Sequence, residues 1–157
     1  MTLPQQASVV IVGGGVMGTS IAFHLAEAGV TDVLLLEQAQ LGSGSTCKAA
    51  GGVRAQFSDP VNIALGLRGL DAFERFPERP GQEIDLRQPG YLFLLTTPEQ
   101  VAVYEESVAL QNRMGVPSRM LTPQEAVALS PAVDPDGLLG AAFHQRDGDC
   151  PPESVVL

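Results

Sequence analysis

A glycine-rich turn between two short apolar runs constrains the fold of this chain more than any other feature. Residues 8–12 are apolar and mostly β-branched, which is typical of a strand buried in a parallel sheet. They lead directly into residues 13–18, which contain the pattern G-x-G-x-x-G. A helical stretch follows that ends near Gly29, and then a second apolar run over 32–36. This order predicts a βαβ unit of the dinucleotide-binding kind, and therefore an α/β fold.

Each glycine of the turn has a separate expected role. Gly13 permits the tight turn, Gly15 lets a pyrophosphate approach the backbone, and Gly18 allows close packing of helix on strand. The helix then presents unpaired N–H groups and its positive dipole end to the phosphates. Glu37 follows nineteen residues after Gly18, where its carboxylate can accept hydrogen bonds from both hydroxyls of an adenosine ribose. A carboxylate there repels a 2′-phosphate, so FAD or NAD is favoured over NADP.

Composition narrows the class of protein. The 157 residues carry 18 acidic and 9 basic side chains, a net charge of −9, which disfavours binding to nucleic acid or to an anionic membrane. The sequence contains no apolar run long enough to span a bilayer and no pattern of a secretory signal. Cys47 and Cys150 are too few for a disulfide framework or a zinc site, and His144 has no partner at ligand spacing. We therefore expect a cytoplasmic protein without a metal site.

A loop rich in small residues follows Glu37. Eight of the thirteen residues over 42–54 are Gly, Ala or Ser, so a large flat ligand can lie against the backbone. Ser45 and Thr46 can donate hydroxyl hydrogen bonds to phosphate or ribitol oxygens, and the backbone of 49–52 can face a ring system. A flexible linker has the same composition, but the position directly after a ribose-binding carboxylate favours ligand binding.

The rest of the chain predicts alternating helices and strands. Helices are expected after Asp59-Pro60, from Thr97 to about Met114, and from Thr122 to near Ser130. Residues 84–87 and 91–95, separated by Gln88-Pro89-Gly90, predict a β-hairpin, and 138–144 predicts a further strand. Tyr91 and Phe93 alternate on that hairpin, where packing and substrate lining are both open.

The chain is expected to be the amino-terminal part of a longer protein. A doubly wound sheet needs more parallel strands than the two found in βαβ context, and the final residues, with Pro152 and Glu153, begin a helix that the chain does not continue. In the chain alone, we expect Val9, Ile11, Val33 and Leu35 to be exposed.

Three segments together carry a family resemblance: V-x-I-V-G-G-G-x-x-G, L-L-L-E and G-S-G-S-T-C-K-A-A-G-G-V-R. They resemble the D-amino-acid-oxidase-like family of FAD-dependent oxidoreductases, most nearly its branch of sarcosine oxidase β-subunits and dimethylglycine dehydrogenases. The resemblance extends through the Asp147-Gly148 turn and covers the whole chain in order. It implies oxidation of the C–N bond of a secondary or tertiary amine, usually an N-substituted amino acid, by hydride transfer to FAD.

The family's architecture is discontinuous. The resemblance implies a Rossmann-like FAD-binding βαβ start with an inserted α+β substrate-domain segment, a fold that is incomplete in this chain. Residues 1–80 would form the amino-terminal part of the FAD-binding domain, and residues 81–145 the first part of the substrate domain. Residues 146–157 would return toward the FAD-binding domain.

The resemblance also implies site residues. The implied cofactor-binding residues are Gly13, Gly14, Gly15, Val16 and Met17 at the pyrophosphate, Glu37 at the ribose, and Ser45, Thr46, Ala49, Ala50, Gly51 and Gly52 along the ribityl chain to the flavin ring. Gly18 and Gln38 are further implied cofactor-binding residues. Related dehydrogenases hold a covalently linking histidine at the position of Lys48, so FAD is expected to be non-covalent at this loop. Arg54 matches a position that clamps a substrate carboxylate; the alternative is a surface arginine paired with Asp59 or solvent. The catalytic residues are expected beyond Leu157.

Two other functions stay open at this point. An NAD-dependent Rossmann dehydrogenase would share the βαβ unit and Glu37, but it should proceed quickly to a third strand, whereas this chain has a small-residue loop. A non-catalytic flavin-binding subunit of a multi-subunit oxidase would carry the same motifs. Partner subunits in a hetero-oligomer are therefore a further expectation.

Overall fold

A computed structural model of the chain describes residues 4–156. These residues form two compact units, one of residues 4–51 with 151–156 and one of residues 52–150. The domain boundaries after residues 80 and 145 stay a prediction. The helix that begins after Asp59 groups with the second unit. Residues 1–3 and 157, which belong to the first and last predicted segments, lie outside the described residues.

The first unit contains the βαβ element. Strand β1 (Val9–Val12) and strand β2 (Val33–Leu36) are joined through helix α1 (Val16–Glu27). The strands pair in parallel, with Val9 opposite Val33 and Val12 opposite Leu36. The predicted βαβ unit is therefore confirmed. Two short 3-10 helices, Thr46–Lys48 and Pro152–Val155, complete this unit.

In β1 the exposed side chains are those of Val10 and Val12, whereas Val9 and Ile11 were expected to be exposed. Ile11 is buried, with 8 % of its surface exposed, whereas Val10 is 50 % and Val12 is 84 % exposed. Val9 is half-buried, as are Val33 and Leu35 in β2. The expectation was wrong because α1 covers the Ile11 face, where Ile11 Cγ2 lies 3.3 Å from the point at which a Cβ on Gly18 would sit.

The second unit combines five strands and three helices. The strands are β3 (Gly52–Val53), β4 (Tyr91–Leu95), β5 (Arg119–Leu121), β6 (Gly140–His144) and β7 (Gly148–Asp149). The helices are α2 (Pro60–Glu74), α3 (Pro98–Arg113) and α4 (Pro123–Leu129). This mixture agrees with the α+β segment expected from the sequence.

A three-stranded antiparallel sheet organises this unit. Its order is β4-β6-β5, and every residue of the central strand β6 is buried. One core cluster lies on this sheet, formed by Leu121, Ala126, Leu138, Ala141 and Phe143. A second cluster joins Ala55 to Ile63 and Leu70 of α2 and to Val116. Strands β3 and β7 form a separate antiparallel pair.

The predicted hairpin of 84–87 with 91–95 is wrong. Strand β4 pairs with β6, so that Tyr91 lies opposite His144. Arg87 instead bridges to Asp149, and its N–H donates to the Asp149 carbonyl at 2.8 Å. Gly90, with φ of 92°, packs so closely on the Phe143 ring that a Cβ there would lie 2.2 Å from Phe143 Cε2. The non-local partner strand therefore determines the pairing, and local alternation in the sequence does not reveal it.

The three helix starts predicted from the sequence are confirmed. The Asp59 carboxylate caps α2 by accepting from Asn62 N at 2.9 Å. Thr97 with Gln100, and Thr122 with Glu125, form capping boxes at α3 and α4. Each of these signals is local, because a cap residue bonds to an N–H only two or three residues away.

Candidate functional site

The glycine turn of the first unit is closely packed. Gly13 has φ of 101°, a conformation that favours glycine, and its N–H donates to the Leu36 carbonyl at 2.8 Å. A Cβ on Gly18 would lie 1.9 Å from the Gly13 carbonyl oxygen. The turn therefore needs glycine at both positions, as the expected roles of Gly13 and Gly18 require.

Glu37 lies against the same turn. Its Oε2 accepts from Gly14 N at 2.7 Å, and its Oε1 accepts from Ala39 N at 2.9 Å. These hydrogen bonds, that from Gly14 first, lower the pKa of Glu37 below its ordinary value. The side chain is thus an oriented anion at neutral pH. Each oxygen of a carboxylate has two lone pairs, so both retain capacity for a further donor such as a hydroxyl.

Thr46 caps helix α1 from a distant part of the chain. The helix begins after Gly15, which has no side chain to cap it, and Val16 N donates instead to Thr46 Oγ1 at 3.0 Å. Thr46 is buried, with 8 % exposed. Since its oxygen accepts here, its own hydroxyl proton is available to donate to an acceptor placed at the helix N-terminus.

These residues fit the diphosphate and ribose of a dinucleotide. A Cβ on Gly15 would lie 3.0 Å from Thr46 Oγ1, so glycine keeps open the space in front of the first helical turn. A helix N-terminus attracts anions, Thr46 adds a hydroxyl donor, and Glu37 adds an acceptor for hydroxyls. The structure brings Gly14, Glu37, Val16 and Thr46 together through direct hydrogen bonds.

The other predicted residues of the first unit are more open to solvent. Met17 is 72 % exposed, and Gln38, Ser45, Ala49 and Ala50 are exposed as well. Lys48 ends the 3-10 helix that begins at Thr46, and its side chain is exposed. Gly51, with φ of 76°, ends the first segment of this unit, and Gly52 is the first residue of the second unit.

Arg54, in the second unit, lies in an aromatic cradle formed by Phe57, Tyr91 and Phe93. Its Cζ lies 4.7 Å from the ring centroid of Phe57, 5.2 Å from that of Phe93 and 5.9 Å from that of Tyr91. Cation–π attraction accounts for contacts of this length. Tyr104 extends the cluster, with its ring 5.3 Å from that of Phe93. Burial raises the pKa of Tyr104, and the charge of Arg54 partly opposes that rise.

The guanidinium has no carboxylate partner among the residues that the structure describes. Asp59, the partner considered in the alternative interpretation, directs one oxygen to Asn62 N at 2.9 Å and the other to Asn62 Nδ2 at 2.6 Å. Cation–π attraction uses no N–H donor, so a guanidinium with aromatic neighbours can still donate two parallel hydrogen bonds. The described carboxylates therefore leave the charge of Arg54 without an ion-pair partner.

A buried polar pair lies under the segment that carries Arg54. His144 Nδ1 and Asp147 Oδ1 are 2.7 Å apart, with 1 % of His144 and 0 % of Asp147 exposed. The same Asp147 oxygen accepts from Ala55 N at 2.9 Å. The sequence analysis assigned no partner to His144. Asp147 lies three residues later, and only the turn between them brings the two side chains together. The Asp147-Gly148 motif was the one available signal.

The described part of the chain lacks two kinds of feature, a membrane-spanning helix and a cluster of metal ligands. No helix within residues 4–156 is long and apolar enough to cross a membrane. The same residues contain no group of three or more His, Cys, Asp or Glu side chains arranged to hold a metal ion.

The sequence of this chain is similar to those of several known proteins. The chain is 34% identical over 153 residues to rat (Rattus norvegicus) mitochondrial dimethylglycine dehydrogenase, covering 97% of this chain and 18% of that protein. It is 35% identical over 157 residues to 4-methylaminobutanoate oxidase (formaldehyde-forming) of Paenarthrobacter nicotinovorans, covering 99% of this chain and 19% of the other. It is 30% identical over 157 residues to the mouse (Mus musculus) mitochondrial pyruvate dehydrogenase phosphatase regulatory subunit, covering 100% and 18%.

A solved structure shows the same fold. L-proline dehydrogenase from P. horikoshii superposes with a TM-score of 0.90 at 34% identity, covering 98% of this chain and 40% of that one. The mixed α/β fold is therefore that of FAD-dependent oxidoreductases. The chain spans less than a fifth of the length of the curated relatives named above. Because the family model described as "FAD dependent oxidoreductase" (DAO) matches residues 8–157, the chain belongs to the DAO family of FAD-dependent oxidoreductases.

Proposed function

We propose that the protein binds FAD and oxidises the C–N bond of a secondary or tertiary amine that carries a carboxylate, such as an N-methylated amino acid. The observation that carries this proposal is Arg54, whose guanidinium is held by three aromatic rings and is not neutralised by a carboxylate of the described residues. Family membership supports FAD as the cofactor and disfavours the NAD-dependent alternative.

The first unit would hold the cofactor. Backbone N–H groups at the start of α1, with the hydroxyls of Ser45 and Thr46, would bind the pyrophosphate. Glu37 would accept from the ribose hydroxyls, and the backbone of 49–52 would run toward the flavin ring. When bound, FAD supplies the two-electron acceptor that takes a hydride from the carbon next to the amine nitrogen.

Arg54 would bind and orient the substrate. A bidentate guanidinium–carboxylate pair fixes both position and rotation of the bound acid. The names of two relatives point to the same chemistry, because dimethylglycine and 4-methylaminobutanoate each combine a methylated nitrogen with a carboxylate. Their amine-to-carboxylate spacings differ, so the exact acid is determined by residues other than Arg54.

The FAD is proposed to be non-covalent at the loop that carries Lys48. Lysine stands where related dehydrogenases have a linking histidine, and its exposed ammonium is not a group that forms the flavin bond in the family. Acid precipitation of the purified protein should therefore release yellow flavin into the supernatant. Flavin that stays with the pellet would show a covalent attachment.

A second candidate function is a non-catalytic flavin-fold subunit that acts through partner proteins. The relative named as a phosphatase regulatory subunit favours it, because that protein is 30% identical over 157 residues. Co-purification of a partner in stoichiometric amount, together with absence of amine turnover, would support this candidate. Partner subunits in an active hetero-oligomer are compatible with the first proposal.

We also propose a cytoplasmic location, since both cysteines of the chain are free: Cys47 is exposed and Cys150 buried. Free thiols persist where the environment is reducing. Fractionation of cells that express the tagged protein tests this location, and recovery from an oxidising compartment or an organelle would contradict it.

The deciding experiment measures the absorption spectrum of the purified protein and its reduction by amines without oxygen. We expect a flavin spectrum that bleaches with sarcosine, dimethylglycine or 4-methylaminobutanoate. Dimethylamine, which has no carboxylate, should be a much poorer reductant. A protein without flavin absorption, or one reduced equally well by dimethylamine, would contradict the proposal.

A further inference from the structure

Four buried polar side chains surround the backbone that carries Arg54 and its aromatic cradle. Three of them hold that backbone directly. Asp147 Oδ1 accepts from Ala55 N at 2.9 Å, Gln56 Nε2 donates to the Tyr91 carbonyl at 2.9 Å, and Gln111 Nε2 donates to the Phe57 carbonyl at 2.9 Å. The fourth, His144, bonds to Asp147 at 2.7 Å.

These four side chains are almost inaccessible to solvent. The exposed fraction is 0 % for Asp147, 1 % for His144, 2 % for Gln111 and 4 % for Gln56. Each also has one atom without a hydrogen-bond partner in the described residues: Gln56 Oε1, Gln111 Oε1, His144 Nε2 and Asp147 Oδ2. Burying polar groups with unused capacity is costly. An apolar set of similar volume would avoid this cost, so stability alone does not account for these four side chains.

The bonded backbone atoms belong to residues of the aromatic cradle or to the residue next to Arg54. Ala55 follows Arg54 directly, while Phe57 and Tyr91 are two of the three cradle rings. His144 is the last residue of strand β6, which pairs with β4 and is buried along its length. Asp147 lies in the turn between β6 and β7. A directional hydrogen bond defines the position of a backbone atom more narrowly than apolar packing does.

We propose that Asp147, oriented by His144, is a positioning residue for Arg54. The Asp147–Ala55 hydrogen bond fixes the backbone beside Arg54, and the cradle fixes the guanidinium. Together they aim its N–H edge at the substrate carboxylate. This inference rests on the proposed carboxylate-binding role of Arg54.

The test compares Asp147→Ala with Asp147→Asn in the flavin-loaded protein. Asparagine keeps the acceptor oxygen for Ala55 N and places its NH₂ where Oδ2 has no partner, so it should rescue the function. We expect Asp147→Ala to raise KM for sarcosine roughly tenfold, the size of one lost buried hydrogen bond. It should leave kcat and the KM for dimethylamine nearly unchanged. The matched control is Arg146→Ala, which removes the Asp71 and Glu74 ion pairs at the same turn but leaves Asp147 intact.

Two readouts do not depend on turnover. Hydrogen exchange at Ala55 N–H should accelerate in Asp147→Ala and stay slow in Asp147→Asn. The Arg54 Nε–H resonance, shifted by the cradle rings, should move toward its random-coil position in Asp147→Ala only. These two spectroscopic changes could occur in a protein that shows no preference for a carboxylate substrate. That result would support the positioning role of Asp147 and contradict the proposed function.

Other outcomes would overturn the inference alone. If Arg54→Lys abolishes the preference for sarcosine while Asp147→Ala leaves it intact, Asp147 does not position Arg54. If Asp147→Ala raises the KM for sarcosine and the KM for dimethylamine equally, the role of Asp147 is general packing. Should Asp147→Ala fail to fold, His144→Gln decides, because it removes the Nδ1 donor and keeps the carboxyl group. That variant should raise the sarcosine KM selectively, and an unchanged KM would refute the proposal.

Discussion

Val16 N and Thr46 Oγ1, thirty residues apart in the chain, form a 3.0 Å hydrogen bond at the N-terminus of helix α1. Thr46 thus serves as the cap that Gly15 cannot provide. The bond places a loop hydroxyl beside the proposed pyrophosphate site, and it leaves only 3.0 Å between Thr46 Oγ1 and the point where a Cβ on Gly15 would sit.

Gly15→Val should abolish flavin retention while the protein stays folded. The added Cβ would lie 3.0 Å from Thr46 Oγ1, and the valine methyl groups would extend further into the space proposed for the pyrophosphate. The ratio of flavin absorbance to protein absorbance after gel filtration measures the effect. Gly69→Val in helix α2 is the control, because a Cβ there meets nothing within 4 Å. Stoichiometric flavin in Gly15→Val would exclude this turn as the pyrophosphate site.

Gly66→Ala and Gly69→Ala, three residues apart in α2, should change stability in opposite directions. A Cβ on Gly66 would lie 2.8 Å from the Arg54 carbonyl oxygen and from Ala55 Cα, and overpacking of this kind costs about 1–3 kcal/mol. Gly69 has open space, so alanine there gains helix propensity of up to about 1 kcal/mol. Urea unfolding of the two variants measures the difference. A Gly66→Ala protein as stable as the wild type would show that this helix can move away from the Arg54 segment.

Glu37→Gln should destabilise the protein in a pH-dependent way. Hydrogen bonds from Gly14 and Ala39 lower the pKa of Glu37 in the folded state below its ordinary value of 4.5. A lowered carboxyl pKa stabilises the fold at pH values above the unfolded pKa, and this stabilisation is lost as the pH falls through the folded pKa. The difference in Tm between wild type and variant should therefore be largest at neutral pH and shrink as the pH falls below 4.5. A difference that is constant with pH would show that the charge of Glu37 is not involved.

Arg54→Lys should weaken the binding of amino-acid substrates more than loss of charge can explain. Lysine keeps the positive charge but loses the bidentate fork and the flat face that stacks on the cradle, a loss of about 1–3 kcal/mol. KM values for sarcosine and dimethylamine, measured in parallel, test this. Dimethylamine should be almost unaffected, and equal losses for both amines would remove Arg54 from the substrate site. Arg68→Lys, at an arginine of α2 outside the cradle, controls for arginine replacement as such.

The sequence alone determined the features that rest on local chemistry. The βαβ unit, the three helix caps, and the need for glycine at positions 13 and 18 all depend on interactions among residues near in the chain, or on a motif with defined spacing. The family also followed from motifs, because the glycine turn, Glu37 and the small-residue loop occur in order.

Only the tertiary structure decided the features that depend on distant partners. Four such features join residues separated by roughly thirty or more positions: the pairing of β4 with β6, the cap that Thr46 provides to α1, the contacts of Arg54 with Tyr91 and Phe93, and the Asp147–Ala55 bond. Local propensity says that Tyr91–Leu95 is a strand but not which strand lies beside it, since any apolar strand could satisfy the same alternation. The direction of Arg54 was undecided for the same reason: a side chain is oriented by the groups packed around it, and these come together only when the chain has folded.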